Sequence, residues 1–325
     1  MNYRRLGSSG LKVSELCLGT MQFGWTADEA AAHQILDRAF DAGLNFIDTA
    51  DVYSSWVEGN PGGVAEQMVG NWLARGSVRR QDVIIATKVR GRMGEGPNDE
   101  GLTRHHILTS AEASLRRLRT DYIDLYQLHY PDEDVPIEET LRALTDLVRR
   151  GDVRYLGCSN FPSWRVVEAL WTSDRRGLEP FVSAQPHYNV VDRREFEEEL
   201  QDVCRRYEIA VLPYSPLAGG FLTGKYARGV PAPKGSRGEH SEETQSYFGR
   251  ERAWQVLAEL QRIGKACDRS PSQVALAWLL SNPTVTSLII GPRSLDQWDD
   301  NLGAVGFELP TDQIDALERV SSWSD

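Results

Sequence analysis

Cysteine is scarce in this chain. Cys17, Cys158, Cys204 and Cys267 are all it has among 325 residues, widely separated and without a CxxC pair. That excludes a disulfide framework and points to buried thiols in a reducing compartment, the cytoplasm. Histidine is nearly as sparse. His105 and His106 are adjacent at an expected helix start, with no third ligand at useful spacing, so no metal is expected and a metal-dependent hydrolase or lyase is a remote reading. Long apolar runs are missing too: the longest are strand-sized, and the opening MNYRRLGSSG has no apolar core of signal-peptide type. A soluble, unprocessed chain without a membrane partner is expected. Nor is there an excess of positive charge, since 36 Lys+Arg stand against 47 Asp+Glu for a net charge of -11. With the arginines spread among acids, nucleic acid and anionic membranes are excluded as partners.

What the chain does have is rhythm. Two extended pieces, 3–5 and 11–13, flank a Gly/Ser turn and read as a hairpin. Strands are then expected at 16–19, 44–47, 83–87, 123–128, 155–158, 181–184, 209–212 and 287–290. Helices are expected between them at 28–42, 64–75, 103–119, 137–150, 163–171 and 193–207, with 251–267 and 273–280 before the last strand. Eight such units fit an α/β fold of the (β/α)8 TIM-barrel kind, one domain over 1–325, with the N-terminal β-hairpin as a plug at its bottom and additional loops and helices at its C-terminal end. The runner-up is a doubly wound open sheet, which would carry GxGxxG after its first strand. Residues 19–24 read GTMQFG instead. Segment 228–249, rich in glycine, proline and charge, is expected to bury little and to serve as a flap or as bare surface.

A barrel makes every strand end a candidate site, and the polar residues there are Asp48, Tyr53, Lys88, His129, Ser159, Asn160, Gln185 and Tyr214. Lys88 follows the apolar run 83–87, so its ammonium is expected in the barrel mouth, where it needs a counter-charge. Asp48 supplies one. A neighbouring cation favours phenolate, so Lys88 is expected to lower the pKa of Tyr53 and ready it to release a proton. His129 adds a donor that orients a carbonyl oxygen. Singly these residues suit a helix cap, a loop aromatic, a surface lysine and a core histidine. Together they make a socket for an oxygen becoming an alkoxide.

The motifs NFIDTADVY, ATK, DLYQLHYP, LGCSNF, AQPHYN and PYSPLAGGFLTGKY, in this order along the chain, resemble those of the aldo-keto reductase family. The resemblance implies a barrel that binds NADPH (NADP+) without a Rossmann domain and reduces an aldehyde or ketone reversibly. By matching positions, Tyr53 is the general acid, Lys88 tunes it, Asp48 partners the lysine and His129 orients the carbonyl. Ser159, Asn160 and Gln185 match the residues that bind the nicotinamide amide, and Tyr214 the ring that stacks on it. Ser215, Leu217, Gly219 and Lys225 match the pyrophosphate segment. Gly291, Arg293, Gln297 and Asn301 match the adenosine end, with Arg293 toward the ribose phosphate. Two departures stand out: the loop 54–63 is longer than usual with Ala65 before Glu66, and Ile290 stands where proline is common.

Trp25, Trp56 and Tyr130 lie just past strand ends and are expected to wall a pocket for a small-molecule carbonyl substrate. The alternative from another functional class is an NADPH-binding regulatory or sensor subunit with slow turnover. Oligomeric state is open, because outer barrel helices suit water or a partner equally.

Overall fold

A computed structural model describes residues 1–323. The strands are β1 (Tyr3–Arg5), β2 (Lys12–Ser14), β3 (Leu16–Gly19), β4 (Phe46–Asp48), β5 (Ile84–Val89), β6 (Ile123–Leu128), β7 (Val153–Ser159), β8 (Phe181–Gln185), β9 (Ala210–Val211) and β10 (Leu288–Ile290). β1 and β2 pair antiparallel as the expected hairpin. The other eight form one parallel sheet in the order β10-β3-β4-β5-β6-β7-β8-β9. Its two ends meet: Thr286 N donates to Val211 O at 2.8 Å and Ile289 N to Pro213 O at 3.0 Å. The sheet is thereby curled on itself as the barrel pattern requires.

Helices fill the connections because the sequence supplies their stops and stripes. They are α1 (Glu29–Asp41), α2 (Val64–Ala74), α3 (Arg104–Leu118), α4 (Ile137–Arg150), α5 (Ser163–Arg176), α6 (Gln201–Arg206), α7 (Arg237–His240), α8 (Glu242–Ser246), α9 (Glu251–Cys267), α10 (Pro271–Ser281), α11 (Leu295–Leu302) and α12 (Thr311–Val320). α4 shows the logic. Glu138 and Glu139 sit in its first turn, Arg149 and Arg150 in its last, and Gly151 ends it in the left-handed conformation, while Leu141, Leu144 and Leu147 are buried.

Alternation along the strands separates two cores. Leu16, Leu18, Ile47, Ile85, Tyr126 and Leu128 face the helices. Cys17, Phe46, Ile84, Ala86, Leu125 and Leu212 face inward, joined by Leu6 and Val13 of the hairpin, which does plug the barrel. Gly7 packs so closely there that a Cβ would stand 2.2 Å from Val182 O. Among the described residues no helix is long and apolar enough to cross a membrane.

The structure departs from the sequence reading in several places. β5 runs through Lys88 to Val89, so the lysine lies within the strand rather than past it. α5 continues to Arg176. The expected helix 193–207 has a π-helical turn, Phe196–Leu200, before α6. Segment 228–249 is mostly exposed, as expected, yet it is not bare surface: it holds α7 and α8, and Ser236, Gly238, Thr244 and Tyr247 are buried. Two anchors explain this, Gly238 N donating to Tyr226 Oη at 3.0 Å and a bidentate Arg228–Glu251 pair.

Candidate active site

Inward alternation carries Ile84, Ala86 and Lys88 up one face of β5, and Leu125 and Gln127 up the matching face of β6. Register sets Asp48 beside Ala86 and Lys88 beside Gln127. Lys88 is 0% exposed. Its ammonium donates to Asp48 Oδ1 at 2.5 Å, to Thr49 O at 2.9 Å and to Tyr53 Oη at 3.0 Å, which uses all three of its protons. Burial alone would lower the lysine's pKa, but the charge of Asp48 and the oxygen of Tyr53 outweigh it and hold the ammonium above its ordinary range. The other Asp48 oxygen accepts from Gln127 Nε2 at 3.0 Å and Gln185 Nε2 at 2.9 Å. Gln127 was missed in the sequence. Its signal was an amide inside an apolar strand, two residues before His129 and so on the same face.

The sign of one expectation changes. Lys88 does pull the Tyr53 pKa down, yet burial pushes it up more strongly and the net direction is upward. The phenol therefore keeps its proton at neutral pH. Because its oxygen accepts from Lys88, that proton is free to point elsewhere. His129 stands edge-on to Tyr53, ring centres 5.9 Å apart. Desolvation first, then Lys88 and Arg90, drive its pKa down to about 3, so the imidazole is neutral.

Tyr53 and His129 open onto a cavity of about 700 Å³, within the range of small-molecule and cofactor sites. Ser159, Asn160, Gln185, Tyr214, Ser215, Leu217, Gly219, Lys225, Gly291, Arg293, Gln297 and Asn301 all reach its wall. Asp48 and Lys88 lie behind it. Ser159 Oγ donates to Gln185 O at 2.9 Å, Asn160 Nδ2 to His129 O at 2.9 Å, and Tyr214 Oη to Asn160 Oδ1 at 2.8 Å. Asn160 holds φ at 60° and Ser215 at 53°, a conformation side chains rarely adopt and one that concentrates at functional sites. Gly219 also has positive φ, and a Cβ there would stand 2.3 Å from Thr244 Oγ1.

The cavity wall also carries a cluster of cations. Lys225 and Arg293 are joined by Arg237, which the sequence reading missed because it lies in the segment expected to bury little. Burial first, then Arg293 and Arg237, push the Lys225 pKa down. Arg293 Nη1 donates to Gly235 O, tying segment 228–249 across the mouth. Trp25 and Tyr130 line the cavity beside Tyr53. Trp56 does not. Its ring is 47% exposed and packs edge-on behind Trp25 and Tyr53, with ring centres 5.7 and 6.2 Å away. Among the described residues no group of three His, Cys, Asp or Glu is placed to hold a metal ion.

Residues 15–322 match the Aldo/keto reductase family. The chain is 38% identical over 324 residues to the uncharacterized oxidoreductase YrpG of Bacillus subtilis (strain 168), covering 98% of this chain and 96% of that one. It is 37% identical to a probable voltage-gated potassium channel subunit beta of Arabidopsis thaliana, covering 98% and 96%. It is 35% identical to protein tas of Escherichia coli (strain K12), covering 98% and 97%.

Proposed function

The chain belongs to the aldo/keto reductase family, and on that premise we propose that it reduces an aldehyde or ketone to the alcohol with NADPH, reversibly. One observation carries the reading: the phenol of Tyr53 accepts from Lys88 at 3.0 Å, which leaves its own proton for an oxygen in the cavity. The cofactor fits on two counts. Lys225, Arg237 and Arg293 cluster on the cavity wall of an acidic protein, suited to phosphates, and Ser236 on the same wall has a buried hydroxyl without a hydrogen-bond partner among the described residues. Reduced nicotinamide, when bound, supplies the hydride.

The protein's own residues do the rest. Tyr53 gives its proton to the carbonyl oxygen as negative charge develops there, and Lys88, already charged, holds the phenolate that remains. Asp48, clamped by Gln127 and Gln185, keeps Lys88 in place. Neutral His129 donates to the same oxygen and orients it. Ser159, Asn160, Gln185 and the Tyr214 ring take the nicotinamide end. Ser215, Leu217, Gly219, Lys225 and Arg237 take the pyrophosphate, and Gly291, Arg293, Gln297 and Asn301 the adenosine end, with Arg293 on the ribose phosphate. Trp25 and Tyr130 bound the substrate. Four free cysteines suit the cytoplasm.

The test follows nicotinamide absorbance while the protein meets a panel of aldehydes and ketones, with NADPH and NADH in parallel. Turnover favouring NADPH supports the reading. If neither cofactor binds, the reading fails. The potassium-channel relative supports a second reading, a cofactor-binding regulatory subunit. Tight NADPH binding without turnover of any carbonyl would favour that one.

A further inference from the structure

The outer helices of the barrel are mostly charged toward solvent, but α5 turns two indole rings to water. Trp164 and Trp171 are each 58% exposed. Seven residues apart, they lie on one side of the helix, and Glu168 and Arg175 complete the same stripe at helical spacing. Large apolar groups grouped this way on a surface mark a contact.

The stripe has a charged sense along its length. At the Trp164 end a hollow of about 390 Å³ opens among Phe161, Trp164, Pro186 and Leu200, rimmed by Glu195 and Glu199. Ser163 donates to Glu199 and holds that carboxylate against the helix start. At the other end the Arg175 guanidinium lies 5.0 Å from the centre of the Trp171 ring. Neighbouring charges are matched within the chain: Arg165 with Glu168, Arg176 with Glu138, and Arg194 with Glu198. Glu195, Glu199 and Arg175 have no such ion pair among the described residues.

Two copies set with α5 antiparallel about a twofold axis satisfy all of this at once. The Arg175 of each faces the Glu195 and Glu199 of the other, while each Trp171 is brought toward the other's hollow beside Trp164. A parallel pairing would instead set like charges together. The twelve residues from Trp164 to Arg175 span roughly 16 Å, enough for both contacts to form on either side of an axis near Glu168. We propose that the chain forms a homodimer in solution through α5, its core the two pairs of tryptophans and its register set by these opposed charges. Asn160 and Gln185 border both this hollow and the larger cavity, so the contact backs onto one wall of the site.

Sedimentation velocity of the full chain over a range of concentrations tests this. The wild type should be a dimer. Trp171→Ala removes its ring twice by symmetry and should raise the dissociation constant on the order of a hundredfold or more. Arg175→Glu alone, and Glu195→Arg with Glu199→Arg, should each weaken the dimer. Mixing those two variants should restore it, because both contacts again carry opposite charges. Circular dichroism controls for folding. A monomeric wild type, an oligomer untouched by these changes, or a mixture no tighter than its components would overturn the proposal.

Discussion

Thr87 and Lys88 are neighbours on β5 that face opposite sides of the barrel wall, and each reaches a buried carboxylate. Inside, Lys88 pairs with Asp48. Outside, Thr87 Oγ1 donates at 2.6 Å to Glu66 Oε1, whose other oxygen takes Arg117 Nε at 2.6 Å. Both pairs lie where unpaired charge would be severely penalised. They differ in what their surplus capacity touches. The inner pair has a third donor hydrogen directed at Tyr53, which borders the cavity. The outer pair joins α2 to α3 away from the cavity, and neither carboxyl oxygen of its neighbour Asp51 meets a side-chain donor. Burial, then the nearby Glu66, raise the Asp51 pKa well above the usual carboxylate range. Buried charge alone therefore does not mark a reactive site. Access to the cavity does.

Removing what distinguishes the two pairs should have the largest effect. Tyr53→Phe should cut turnover by about a thousandfold, within the usual span of general acid catalysis, while NADPH titration by fluorescence shows unchanged binding. Next, Lys88→Met and Arg117→Met should each destabilise the fold by roughly 3 kcal/mol in urea titrations, since each strands a carboxylate. Only Lys88→Met should also lower the rate of the molecules that remain folded. If Arg117→Met does the same, the comparison fails.

A smaller effect separates the pairs by pH. With its pKa near 3, His129 is neutral throughout the ordinary range. The pH profile of kcat/KM for reduction should then show no inflection near 6.5, and should fall only on the alkaline side as Tyr53, shifted upward, ionises. His129→Asn should lower the rate by about tenfold or more without moving the profile. An inflection near 6.5 that vanishes in that variant would refute the neutral imidazole.

The smallest effect belongs to the outer side. A carboxyl whose folded pKa is raised adds stability fully below its unfolded value, and loses it as pH climbs toward the folded one. Asp51→Asn should therefore match the wild type in Tm at about pH 4 and exceed it increasingly above that. A gap that closes as pH rises would reverse the assignment.

The sequence was most legible where one strand face decided the matter. Asp48, Lys88 and His129 could be placed because apolar runs end or alternate around them, and the structure does bring them to one point with Tyr53. Gln127 escaped because an amide within DLYQLHY looks like a tolerated core polar group until Asp48 is seen opposite it. Arg237 escaped because the packing of a glycine- and proline-rich segment rests on distant anchors, Tyr226 and Glu251, that local composition does not reveal. The pKa of Tyr53 was misjudged in sign because proximity of a lysine can be inferred from strand order, whereas the competing depth of burial cannot. Trp56 lies beyond the cavity wall for a related reason: a loop aromatic's direction depends on which ring it meets first, here Trp25.

The hairpin at the bottom of the barrel has a kinetic meaning. With Leu6 and Val13 fully buried beneath the inner core, the barrel is a vessel stoppered at one end. What reaches Tyr53 comes through the cavity at the opposite end. On the function proposed above, cofactor and carbonyl would share that one mouth, and whichever lies deeper would have to enter first and leave last.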